Sequence, residues 1–110
     1  MLAKAQIEAG VCGFSTLVSA TCEDGQSVAF DISTDCEKIA GVARRLAAHG
    51  PVDAFQEISP AAESVILAAA RAELKGCCAA CAAPVGIFKC MQAAARLALP
   101  QDIAIKIVTE

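Results

Sequence analysis

Asp24-Gly25 sits between two runs of alternating polarity, and that arrangement narrows the fold more than any other stretch of the chain. Upstream, Phe14, Thr16, Val18, Ala20 and Cys22 share one parity. Downstream, Val28, Phe30 and Ile32 face one way and Ala29 and Asp31 the other. A period of two is the pattern of a half-buried strand. Asp and Gly both tolerate the positive φ of a tight two-residue turn, so the two runs read as a hairpin. A third strand precedes them: Ala3, Ala5, Ile7 and Ala9 alternate with Lys4, Gln6 and Glu8, and Gly10-Val11-Cys12-Gly13 breaks the run. A sheet that opens a chain in this way has one apolar face to cover.

The next segments supply the cover. Thr34-Asp35-Cys36-Glu37 has the form of a capping box, which predicts a helix to about Ala48 with Ile39, Val42, Ala43, Leu46 and Ala47 buried. His49-Gly50-Pro51 stops it. Val52 to Ile58 reads as an irregular link or a brief helical turn. Ser59-Pro60 predicts a second helix to about Lys75, as N-cap and first helical residue. Gly76 suits a left-handed helix end, and Pro84 opens a third helix through Leu97 with Ile87, Met91, Ala94 and Ala98 inward. Ile103, Ile105 and Ile107 alternate with Asp102, Ala104 and Lys106 in a final strand. The expected fold class is α+β: an antiparallel sheet of three N-terminal strands plus a C-terminal strand, with about three helices packed on one face.

The 110 residues suffice for one core, so residues 1–110 read as a single domain. At 56% hydrophobic and 19% charged, the chain lies far from the disordered class. The net charge of −3 and scattered Lys and Arg give no basic field, so no nucleic acid is expected as a partner. No apolar run approaches the ~20 residues that span a bilayer, and the N-terminus has no signal-peptide core, so the expectation is a cytoplasmic protein with no membrane partner. Thiols stay reduced there, and seven cysteines cannot all pair internally.

That much cysteine in a reducing compartment points to metal or redox chemistry. Cys77, Cys78 and Cys81 lie on the connection between Gly76 and Pro84. The overlapping pairs Cys78-x-x-Cys81 and Cys77-x-x-x-Cys81 each have the spacing to put two sulfurs on one metal. One pair is half a site. Cys12, flanked by Gly10 and Gly13, and Cys36, at the start of the first predicted helix, are the expected further ligands. Cys81 and Cys36 are thus both held at helix N-termini, where N–H groups and the helix dipole stabilise a thiolate. Cys22 and Cys90 follow apolar stripes and read as small core fillers. His49, the one histidine, fits a helix C-terminus better than a ligand role. There is no serine elbow, P-loop or dinucleotide fingerprint.

Gly10-Val11-Cys12-Gly13-Phe14, Thr34-Asp35-Cys36, Cys77 to Pro84 with Lys89, and Ala98-Leu99-Pro100 together resemble a family of small uncharacterised proteins found mainly in anaerobic bacteria and archaea. The resemblance covers nearly the whole chain. It implies a small cytosolic cysteine protein with metal or iron–sulfur binding, and no established activity. Separately, Cys81-Ala82-Ala83-Pro84-Val85 with Lys89 is similar to the Cys-Pro-x-Pro start of TusA-type sulfur carriers, whose cysteine carries a persulfide at a helix N-terminus. Ala82 stands where that motif has its first proline, and the three-strand, two-helix start is not shared, so the similarity is one of local mechanics.

Two thiol functions are therefore expected in competition, beside a third reading as a structural or assembly subunit that meets its partner through an Ala-rich helix face and leaves all seven thiols inert. One is a binding protein for Zn²⁺ or an iron–sulfur cluster, held by Cys12, Cys36, Cys81 and either Cys77 or Cys78. The other is a thiol redox or sulfur-carrier protein with Cys81 as nucleophile and Cys78 or Cys77 resolving. Any homodimer is expected through the Ala-rich second helix, around Ala61, Ala62, Ala68, Ala69, Ala70 and Ala72.

Overall fold

The alternating segments do build a meander. In a computed structural model that describes residues 1–59 and 63–110, β1 (Leu2–Glu8), β2 (Ser15–Cys22) and β3 (Ser27–Thr34) pair antiparallel in sequence order. The register sets Ala5 opposite Val18, Val18 opposite Ile32 and Ala20 opposite Phe30, all on the inner face. Lys4, Gln6, Glu8, Leu17, Ala29 and Asp31 are exposed on the other face. The turn between β2 and β3 is longer than a two-residue hairpin, because Cys22 is already opposite Val28. Gly25 takes the expected positive φ of 76°. Asp24 acts through its side chain instead: the carboxylate accepts the N–H groups of Ser27 at 2.8 Å and Gln26 at 3.0 Å.

Helices cover one face, so the architecture is α+β. Helix α1 (Glu37–His49) lies on β3, and α4 (Ala83–Ala94) lies on β1 and β2. Helix α3 (Val65–Glu73) packs across both helices. Ile39, Val42, Leu46, Ile66, Ile87 and Met91 close the core against Val18, Val28 and Val52. Two glycines permit the close approach. A Cβ on Gly86 would lie 2.3 Å from Ile7 Cδ1, and one on Gly41 2.6 Å from Glu73 Cδ.

Several boundaries differ from the sequence expectation. The capping box does not form: Cys36 is the N-cap of α1 and makes no side-chain cap bond. Thr34 belongs to β3, where its hydroxyl bonds that of Thr16 across the sheet at 2.8 Å and also accepts the Cys36 N–H at 3.2 Å, ahead of the helix. Ala47, expected inside, is exposed. The link after α1 contains both a two-residue strand, β4 (Val52–Asp53), paired with Val28 and Ser27, and a short helix, α2 (Ala54–Ile58). Ser59 ends α2 rather than capping the next helix, and Pro60 lies outside the described residues. Ser64 is the cap of α3. Helix α4 stops at Ala94, short of Leu97.

The fourth strand of the sheet is thus β4, and the C-terminal segment does not take that place. Residues 101–110 carry no helix, turn or pairing, and every one of them is exposed. Alternation specifies an amphipathic extended segment without specifying an edge to receive it.

Candidate thiol site

Helix α3 ends at Glu73 with Leu74 as its C-cap, and Gly76, at φ 67°, turns the chain into a 3₁₀ segment, Gly76–Ala80. Cys78 lies in that segment, half-buried against the core; Cys77 shares it, and the Cys77 side chain lies outside the described part. Cys81 closes the segment with its N–H on the Cys78 carbonyl at 3.0 Å. Ala82 follows as N-cap of α4 and brings no side-chain cap.

That gap is filled from one residue back. The Ala83 N–H, one of the first donors of α4, points to Cys81 Sγ at 3.4 Å. The first N–H groups of a helix have no partner inside it, so an electron-rich sulfur is well placed to accept one. Cys81 is half-buried and lines a groove of about 400 Å³ between α3, the 3₁₀ segment and α4. Leu67, Ala70, Leu74, Pro84 and Val85 make its walls apolar, and Arg71 supplies a cation. The groove, and the place of Arg71 on it, arise only once α3 folds back beside α4, and no local pattern of the chain announces them.

The other cysteines separate into two groups. Cys22 and Cys90 are buried, as their stripes predicted. Burial pushes the Cys90 thiol up from its ordinary value, and its Sγ lies 3.3 Å from the Ala3 carbonyl oxygen. Cys12 and Cys36 stand toward the end of the sheet where Glu8, Ser15 and Thr34 lie. Cys12 is exposed in the loop between β1 and β2, where Gly13 donates to Gly10 at 2.9 Å. Cys36 is half-buried at the head of α1. The first turn of α4 lies over Ile7, which brings Cys81 to that same end. Among the described residues, however, no three Cys, His, Asp or Glu side chains converge into a group that could hold a metal ion.

His49 is exposed in the last turn of α1, with Nδ1 3.1 Å from the Gly50 carbonyl oxygen. Of the alanines expected at a dimer surface, Ala69 and Ala70 are buried in the core, Ala68 is half-buried and Ala72 exposed; Ala61 and Ala62 lie outside the described residues. Among the described residues no helix is long and apolar enough to cross a membrane.

Residues 3–107 match a family of unknown function (DUF6951). No curated protein and no solved structure matches the chain.

Proposed function

The chain belongs to that family, which lends it no activity, and from its own geometry we propose a thiol protein that acts through Cys81, in sulfur carriage or disulfide exchange. The observation that supports this reading is the Ala83 N–H aimed at Cys81 Sγ at the rim of an apolar groove. In sulfur carriage, the Cys81 thiolate attacks the outer sulfur of a donor persulfide. The donor S–S bond breaks, the donor leaves as a thiolate, and Cys81 holds the transferred sulfur as a persulfide. The Ala83 N–H is aimed at Cys81 Sγ, and the apolar walls limit water around the transferred sulfur. In disulfide exchange, Cys78 or Cys77 in the preceding turn is the resolving thiol. The cytoplasm, where thiols stay reduced, is the compartment this reading requires.

Pulse alkylation with peptide mapping tests it. Cys81 is expected to label faster than Cys12, although Cys12 is the more exposed, and Cys90 is expected to label last. Labelling of Cys81 no faster than Cys22 or Cys90 would overturn the assignment.

The second reading is a Zn²⁺ or iron–sulfur site using Cys12, Cys36, Cys81 and Cys77 or Cys78. It is supported by the gathering of Cys12, Cys36 and Cys81 toward one end of the sheet. It requires the β1–β2 loop to fold inward, since ligands on one Zn²⁺ sit ~2.3 Å from it. Anaerobic purification with metal and acid-labile sulfide analysis separates the two readings. Stoichiometric metal supports the second, and metal-free protein with titratable thiols supports the first.

A further inference from the structure

The sheet has an unfinished edge and the chain has an unplaced strand. β4 pairs with Ser27 and Val28 alone, so Ala29–Thr34 of β3 have no outer strand partner among the described residues, and Gly50 and Pro51, which lead into β4, border that edge at its Ala29 end. A groove of about 270 Å³ runs along that edge. Both faces of β3 line it, through Asp31 on one side and Phe30 and Ile32 on the other, and α1 closes it with Ala43, Leu46 and Ala47. An unpaired edge beside a groove lined by apolar side chains, Asp31 and open backbone is the setting for strand addition, in which backbone bonds bind and alternate side chains select.

The segment that matches is in the same chain. Ile103, Ile105 and Ile107 have the alternation of a half-buried strand, yet Ile105 is 77% exposed and Ile107 84%. We propose that Ile103–Val108 is an exchanged arm that adds antiparallel to Ala29–Thr34 of a second copy of the chain, with Ile105 and Ile107 filling the groove between β3 and α1.

The register follows from chemistry. With Lys106 opposite Asp31, Ile105 meets Ile32 and Ile107 meets Phe30, so opposite charges pair outside while apolar side chains meet inside. Ile103 then lies opposite Thr34 and Val108 opposite Ala29, so the arm stops where β4 begins. A parallel arm with the same charge pair would set Ile103 against Val28, which β4 already occupies.

The arm's own body cannot offer this docking. Cys90 of α4 touches the carbonyls of Ala3 and Val18, and Gly86 lies over Ile7, so α4 runs antiparallel to β1. The chain therefore leaves α4 near the sheet end that carries Leu2, Cys22 and Val28. From there an arm could follow its own β3 only in the parallel sense, after crossing three strand spacings, roughly 14 Å. Arg96 at φ 62°, with Leu97 N–H on the Gln92 carbonyl at 2.8 Å, tightens the exit of α4, and Pro100 follows. Short, constrained connections of this kind favour exchange between copies, and a two-fold pair satisfies both arms by the same contact.

Light scattering on the full chain tests the proposal. The expected mass is that of a dimer, with alternate amides of Ile103–Val108, those turned toward β3, protected from hydrogen exchange. Ile105→Asp in the arm and Ala47→Glu in the groove, both at exposed positions, should each give a monomer with unchanged circular dichroism. Lys106→Asp and Asp31→Lys should each weaken the dimer about fivefold, and the double reversal should recover it. A monomeric wild-type chain would overturn the proposal, whatever the protection of its arm. So would a dimer that survives Ile105→Asp, or one that breaks with Ile105→Asp but ignores Ala47→Glu.

Discussion

Glu57, buried in α2, accepts the hydroxyl of Ser64 at 2.8 Å, and between them the two side chains hold the N-terminus of α3. The same carboxylate accepts the N–H groups of Val65 at 2.7 Å and Ile66 at 2.8 Å, while Ser64 Oγ accepts that of Leu67 at 3.0 Å. Negative charge at a helix start is also favourable against its dipole. Glu57→Ala strands a hydroxyl and two N–H groups in the interior, which should cost about 3 kcal/mol of unfolding free energy. Ser64→Ala should cost about 1 kcal/mol. Urea titration of both single variants and the double checks this. Losses in the double that fall short of the sum are expected, because the groups share one network.

Gly86 and Ile7 set how closely α4 approaches β1. A methyl on Gly86 would stand 2.3 Å from Ile7 Cδ1 and 2.5 Å from Cγ1, so Ile7 must leave its place. Gly86→Ala gains about 1 kcal/mol of helix propensity but loses about 1–3 kcal/mol to overpacking. The expected net is a loss. In an Ile7→Ala background the obstructing atoms are gone, and Gly86→Ala should then stabilise. The same sign in both backgrounds would show that this contact does not govern the packing of α4.

Asp24 and Asp53 make the turn region acid-sensitive. The Ser27 and Gln26 N–H groups hold the Asp24 carboxyl below its ordinary value of 3.8. The Gln26 side chain, 2.7 Å away, does most to lower that of Asp53. A carboxyl lowered in the fold contributes stability that is fully present above its unfolded value. That contribution is lost as pH falls through the folded value. Stability should therefore be flat near neutrality in this respect and decline below roughly pH 4. Asp24→Asn combined with Asp53→Asn should flatten the decline, as read from urea midpoints across that range.

Much of this was legible in the chain itself. Alternation is a local property, and β1, β2, β3 and the inner face of the sheet follow from it. Burial of Cys22 and Cys90 followed from parity and helical spacing. Turn chemistry placed Gly25, Gly50 and Gly76, all at positive φ. What needed the tertiary structure was every choice between equally good local options. Thr34-x-x-Glu37 and Ser59-Pro60 are sound caps in isolation, but Thr34 stays in β3, bonded to Thr16 across the sheet and to the Cys36 N–H, and the cap of α3 is Ser64, held by Glu57 from seven residues back. β4 has two residues, too few for any period, and is a strand only because Ser27 and Val28 lie beside it. The three isoleucines near the C-terminus show the same division. Their spacing says strand, while only the assembled sheet, with its edges at β1 and at β3–β4, decides whether an edge is within reach.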